Sequence, residues 1–144
     1  MKFWDASAIV PLVAEERGSE ALVTLLEDDP QLLVWWGTPV EIVSALACRE
    51  REGHLTADQT AAAIAALHTI ATGWQEIVPS DSVRRTAERL LRVHPLRSAD
   101  SLQLAAAIVA ADHDPATLAF VSLDERLNAA ARREGFAIVG ASPA

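Results

Sequence analysis

Lysine is almost absent from this chain of 144 residues: Lys2 is the only one among 12 basic residues, and the rest are arginines. Against them stand 20 acids, for a formal net charge of −8. No global field therefore gathers nucleic acid. An RNA-handling role would need a local contact, through a basic stripe or through bound cations. Arginine suits such contacts, because its fork meets phosphate or carboxylate in a bidentate way. A single cysteine, Cys48, excludes an internal disulfide and fits a reducing compartment. The longest strongly apolar run, 104–111, falls far short of the roughly 20 residues that span a bilayer. Asp5 interrupts the opening Met1-Lys2-Phe3-Trp4 before a secretory core forms. The expectation is a soluble, cytoplasmic chain with no membrane association. Seven prolines and six glycines are too few for a disordered or fibrous chain. Repeats, low-complexity tracts and linkers are missing too. The four histidines, His54, His68, His94 and His113, show no metal-ligand spacing.

What is present is material for a core. Hydrophobic residues make up 51% of the chain, enough to bury a sizeable interior at the length of one domain, 1–144. Residues 2–5 read as a short strand, 6–14 and 18–28 as helices, and 32–36 as a continuous apolar strand. Thr38 as N-cap, with Pro39 at the first helical position, starts a helix that runs to about Glu52 and ends at Gly53. The alanine-rich 56–72 is a helix opened by a Thr56…Gln59 capping box. A strand at 75–78 precedes an arginine-rich helix at 80–93, which His94-Pro95 breaks. An almost wholly apolar helix at 98–111 reads as buried. A strand at 118–122, a helix at 124–134 and a last strand at 136–139 complete the chain. Strands alternating with helices or helix pairs predict an α/β domain, a parallel sheet sandwiched by helices. Ligands of such sheets bind at the carboxyl ends of the strands.

Four acids are expected at that edge. Asp5 ends the first strand, and Asp124 follows the strand at 118–122. Glu41 and Asp100 fall in the first turns of helices whose N-termini point the same way. Converging carboxylates repel one another unless something cationic sits between them. Mg²⁺ suits the place: it takes one or two carboxylates, keeps several waters and accepts phosphate oxygens. A pair of such ions clamps the attacking and leaving oxygens in phosphodiester cleavage. Each acid alone has a plainer explanation. Asp5 could cap the first helix, Thr38…Glu41 fits a capping box, and Asp100 and Asp124 complement helix dipoles. Asp100 resists this most, because Leu102, Leu104, Ala105, Ala106, Ile108 and Val109 make its helix apolar nearly all round, and a charge there needs a partner. Asp81 and Asp58 also open helices, and spacing alone does not exclude them.

The order of local motifs separates these candidates. Phe3-Trp4-Asp5-Ala6-Ser7-Ala8-Ile9 resembles the opening of a PIN domain, a strand ending in aspartate with a small hydroxyl residue two places on. Pro39-Val40-Glu41-Ile42-Val43-Ser44-Ala45-Leu46 resembles that family's glutamate-bearing helix. Leu96-Arg97-Ser98-Ala99-Asp100-Ser101-Leu102-Gln103-Leu104-Ala105 is similar to its most diagnostic segment, an aspartate opening a buried helix. Phe120-Val121-Ser122-Leu123-Asp124-Glu125-Arg126-Leu127, with Ala129, Ala130 and Gly135 after it, resembles the C-terminal acidic motif. The resemblance runs in order along the whole chain and is strongest to the VapC type of toxin. It implies a PIN-like three-layer sandwich with a short central parallel sheet. It also implies an Mg²⁺- or Mn²⁺-dependent endoribonuclease, the toxin of a toxin–antitoxin pair, silenced by a cognate antitoxin and frequently a homodimer. By position, Asp5 and Asp100 match the principal metal ligands, Glu41 and Asp124 the remaining acids, and Ser7 and Ser122 the supporting hydroxyls. Glu41 or Asp124 would then orient a water or hold a second ion. Bound cations would also answer the charge problem, since they attract phosphate locally.

Other assignments follow. Arg85, Arg89 and Arg92 share a helix face by spacing and, with Arg97 near Asp100, form a candidate RNA-tracking strip; the plainer alternative is a solvated face pairing with acids such as Glu88. Trp35 and Trp36 are assigned to core or dimer interface, Trp4 to packing beneath Asp5, Cys48 to inert packing and His94 to a turn. The helix pair within 6–28 offers a groove for an antitoxin helix. A haloacid-dehalogenase-type phosphatase would carry a second aspartate where Ser7 stands and a late lysine, which this chain lacks; a receiver domain would want a mid-chain strand ending in aspartate and the same late lysine, and the same lack argues against it. The remaining alternative is a catalytically degenerate PIN-like module that only binds a partner, and the presence of all four acids argues against it.

Overall fold

Successive side chains of a strand point to opposite faces, and the short strands here divide their residues between two cores. The computed structural model describes residues 1–16 and 19–140. Its strands are β1 (Lys2–Trp4), β2 (Leu32–Trp35), β3 (Gln75–Ile77), β4 (Ala119–Val121) and β5 (Ala137–Val139). All pair in parallel, in the order β3-β2-β1-β4-β5. The connections carry α1 (Ala6–Ala14), α2 (Glu20–Asp28), α3 (Thr38–Arg51), α4 (Ala57–Ala71), α5 (Asp81–Val93), α6 (Ser98–Ala110) and α7 (Glu125–Glu134). Phe3, Leu33, Trp35 and Phe120 enter one core with Leu90, Leu104, Leu127 and Phe136, beneath α5, α6 and α7. Trp4, Leu32, Val34 and Val121 enter the other with Ile9, Leu22, Ile42, Leu46 and Leu67, beneath α1 to α4. Phe3 and Phe120 stack across the central pair with ring centroids 5.6 Å apart. The result is the three-layer α/β sandwich that the alternation of elements predicts.

The strand order decides where a ligand can sit. From β1 the chain steps outward to β2 and β3 with its helices on one face, then returns past β1 to β4 with its helices on the other. The order therefore reverses between β1 and β4, and a crevice at the carboxyl ends of that pair is the favoured ligand position in open α/β sheets. The pairing continues one residue past β1, where the Asp5 amide donates to the Val121 carbonyl (2.9 Å). Asp5 and the residues after β4 are thereby held side by side.

Most element ends lie within one or two residues of expectation. Ser80 and Asp124 are caps rather than first helical residues, their side chains accepting from the amides of Val83 and Leu127. The Thr56…Gln59 capping box is present in both directions. Gly53, at φ +81°, follows the end of α3 in the left-handed conformation that glycine adopts without strain. Thr38 departs from expectation. Gly37 takes the cap position, and Thr38 is already helical and fully buried. A Cβ on Gly37 would stand 2.6 Å from Trp35 Nε1, so the indole edge occupies the space a larger capping residue would need. Residue Gly18, the expected start of the second helix, lies outside the described residues. No helix among the described residues is long and apolar enough to cross a membrane.

Candidate active site

Asp5 caps α1 and is 4% exposed. Its Oδ2 accepts from the Ser7 hydroxyl (2.6 Å), the Ser7 amide (3.2 Å) and the Ser122 hydroxyl (3.3 Å). The two serine oxygens are 3.2 Å apart. Ser7 Oγ also accepts from the Leu123 amide (3.0 Å), and Ser122 Oγ from the Asp124 amide (3.1 Å). Asn128 Nδ2 donates to the Ser122 carbonyl, which fixes the turn from β4 into α7. The two serines thus tie the ends of β1 and β4 together around one carboxylate oxygen. None of these bonds falls on Oδ1, whose lone pairs are left for another partner.

Glu41 lies in the first turn of α3 and does not form the capping box with Thr38. Its Oε2 accepts instead from Gln103 Nε2 (2.8 Å), which also donates to Thr38 Oγ1 (2.9 Å). Gln103 is wholly buried in α6, one residue inside its apolar run. Neither Thr38 nor Gln103 stood among the expected site residues. A long amide in an otherwise apolar helix was the available signal, since a buried polar group requires a partner. Replacing Gln103 by Leu removes the donor that orients Glu41. The Glu41 carboxyl should then titrate higher still, as followed by NMR of its side chain, while circular dichroism shows an unchanged fold.

The acids act on one another electrostatically. Burial raises the Asp5 pKa above the usual aspartate range; its bonds to Ser7 oppose this, and the charges of Asp124 and Asp100 add to it. Burial pushes Glu41 up to about 7, opposed by Gln103 and reinforced by Asp5 and Asp100. Asp100 is raised by burial and then by Asp124, against Arg126 and Arg97. Asp5 thus feels Asp100 and Asp124, Glu41 feels Asp5 and Asp100, and Asp100 feels Asp124, all at the switch-point edge. A cleft of about 600 Å³ opens onto it, lined by Arg97, Asp100, Asp124, Glu125 and Arg126. Oxygen-only donors with unfavourable mutual charge fit a hard divalent cation. Among the described residues, no three His, Cys, Asp or Glu side chains stand close enough to form a closed cage.

The arginines divide. Arg97 lines the acidic cleft. Arg85 and Arg92 are exposed on α5, and Arg89 with Arg92 borders a separate hollow beside Glu88 and Val93. Arg89 is committed to Glu134 in a forked pair (2.8 and 3.4 Å), and the same carboxylate bonds His94 Nε2 at 2.7 Å. His94 is thus a buried helix cap that pins α5 to α7, not simply a turn residue. Glu134→Ala leaves that buried ring nitrogen unpaired, at a cost of about 1–3 kcal/mol. The melting temperature should drop by roughly 5 °C. Cys48 is exposed, contrary to the packing assignment, and Trp36 is exposed while Trp35 is buried. Trp4 is fully buried beside Asp5, as expected. The hollow beside α1 is formed with α4 rather than α2, and Val13, Ala14, Leu55, Ala63 and Ala66 contribute to its lining.

Neither the comparison with protein-family models nor that with curated proteins finds a match. Among solved structures, the chain is similar to one described as a toxin-antitoxin complex from Klebsiella pneumoniae. The likeness covers 99% of this chain and 97% of the other, with a TM-score of 0.64 and 15% sequence identity. At that identity the likeness is one of fold.

Proposed function

We propose that this chain is a divalent-cation-dependent endoribonuclease of the PIN type, acting as the toxin of a toxin–antitoxin pair. The observation that carries the reading is Asp5 at the switch point of the sheet beside the end of β4, with Asp100 and Asp124 lining one cleft at that edge, and with Asp5, Glu41 and Asp100 held above their usual pKa partly by their neighbours' charge. Asp5 and Asp100 would hold the cation, with Asp124 and Glu41 beside them. When bound, such an ion polarises a phosphoryl oxygen and makes water a nucleophile at neutral pH.

The chain's own residues do the remaining work. Ser7 and Ser122 hold Asp5 through Oδ2 and leave Oδ1 without a bond from either. Glu41, held up at about 7 in the cation-free chain, is oriented by Gln103, and a cation beside it would favour its charged form, as a ligand or a water-orienting group requires. Arg97 and Arg126 flank the cleft and offer donors to a phosphate drawn there. The toxin role draws support from the fold likeness to a toxin-antitoxin complex, and the apolar hollow between α1 and α4 suits an antitoxin helix.

A module that binds a partner without catalysis is the second reading, favoured by the lack of a closed three-ligand cage among the described residues. Cleavage of a broad RNA pool by the purified, partner-free protein, in Mg²⁺ or Mn²⁺ and in EDTA, separates the two. Cleavage only with the cation supports the nuclease. Cleavage that survives EDTA removes the cation from the reading, and no cleavage of any RNA leaves the binding module.

A further inference from the structure

Trp36 stands one residue beyond β2, where its amide donates to the Ile77 carbonyl at 3.0 Å. Its backbone is therefore held by the sheet, yet the residue is 56% exposed. The indole borders a cleft of about 430 Å³, lined also by Trp35, Pro79, Asp81, Arg84 and Leu102. Asp81 and Arg84 supply polar groups at its rim, 3.8 Å apart and both largely in solvent. The cleft lies at the carboxyl ends of β2 and β3, the same edge as the acids. Leu102 in its wall lies two residues beyond Asp100 along α6, about 3 Å of helix rise. Thr38, two residues after Trp36, bonds the Gln103 amide that holds Glu41. The cleft and the acidic cluster are thus neighbours built on shared elements.

A half-exposed aromatic residue with a carboxylate and a guanidinium at the rim of its cleft suits a planar heterocycle. Unpaired RNA bases splay out, stack on aromatic side chains and are read along their Watson–Crick edges. The Asp81 carboxylate, 3.8 Å from Arg84 and largely in solvent, is available to accept from base amino and imino groups. Guanine presents two such donors side by side and matches a carboxylate best. We propose that this cleft is a subsite for one unpaired base of the RNA strand, guanine preferred, with Trp36 as its stacking face and Asp81 as its acceptor. The inference rests on the nuclease reading above.

The test measures kcat/KM in Mn²⁺ on short single-stranded oligoribonucleotides with one guanine, with uracil in its place, or with an abasic site there. Trp36→Ala should lower kcat/KM on the guanine substrate by roughly ten- to a hundredfold, the usual range for losing one base stack. Trp36→Phe should keep most of the activity, and the abasic substrate should make wild type and Trp36→Ala alike. Asp81→Asn should weaken the preference for guanine over uracil. Because Trp36 is exposed, its variants should melt with the wild type. Trp36→Ala cleaving all three substrates as the wild type does would overturn the subsite and leave the nuclease standing. If Trp36→Ala instead splits a dimer in sedimentation while the abasic site changes nothing, a second copy of this chain covers the surface and the subsite is likewise overturned. A wild type that cleaves no RNA would remove both readings.

Discussion

Asp5→Asn and Asp100→Asn are each expected to lower RNA cleavage by about a thousandfold while leaving the cation-free protein at least as stable as the wild type. The two effects have opposite signs for one reason. Both acids are raised in pKa by burial and by neighbouring carboxylates, so at neutral pH each charge is carried at a cost. An amide keeps the shape and much of the hydrogen bonding and removes that cost. On the proposed reading it also removes an anionic oxygen ligand, and with it the several kcal/mol of transition-state stabilisation that a bound cation would contribute, at about 1.4 kcal/mol per tenfold in rate. A structural carboxylate behaves otherwise, since its loss lowers stability and activity together. Thermal melting in EDTA beside single-turnover cleavage in Mn²⁺ distinguishes the cases. Reduced melting temperatures with retained cleavage would place both acids among ordinary helix caps.

Stripped of divalent cations, the protein should melt about 5 °C higher at pH 5 than at pH 7.5. Glu41 titrates at about 7 in the folded chain against 4.5 as its ordinary value. Between those values the folded state binds more protons than the unfolded one, so stability falls as pH rises through the window. Asp5 and Asp100 are raised as well and add in the same direction. Asp29 and Glu134 are lowered, by the N-terminal ammonium and by Arg89 respectively, against some opposing burial. Their opposite contribution is lost only below about pH 4.5, outside the comparison. Saturating Mg²⁺ or Mn²⁺ at pH 7.5 should restore the melting temperature by mass action, since a ligand of the folded state alone stabilises it. Glu41→Gln should flatten most of the step. A cation-free protein that gains stability from pH 5 to 7.5 would show that the acids are not coupled as described.

Local chemistry in the chain foretold the sandwich and the edge where chemistry is sought. Continuous apolar runs bounded by caps marked the elements, and Asp5 and Asp124 belonged to the ligand edge because each follows a strand. What escaped was non-local. Gln103 meets Glu41 across 62 residues, and Arg89 meets Glu134 across 45, so no helical spacing announces either bond. Thr38 had the chemistry of a cap, but the Trp35 indole over Gly37 and the amide of Gln103 draw it into the interior. Cys48 looked like packing because its neighbours are apolar. The buried stripe of α3 is Thr38, Ile42 and Leu46, spaced by four, and Cys48 falls off that line. Trp35 and Trp36 show the same logic at period two: one side chain enters the core and the next faces solvent.

The most direct measurement is an anomalous difference map from crystals of the partner-free protein soaked in Mn²⁺ at neutral pH. One Mn²⁺ peak within coordinating distance of Asp5 and Asp100, lost in Asp100→Asn, is the expected outcome. A well-ordered map with all four acids in place and no Mn²⁺ beside Asp5, or with Mn²⁺ bound only elsewhere, would refute the cation site on which the nuclease reading stands.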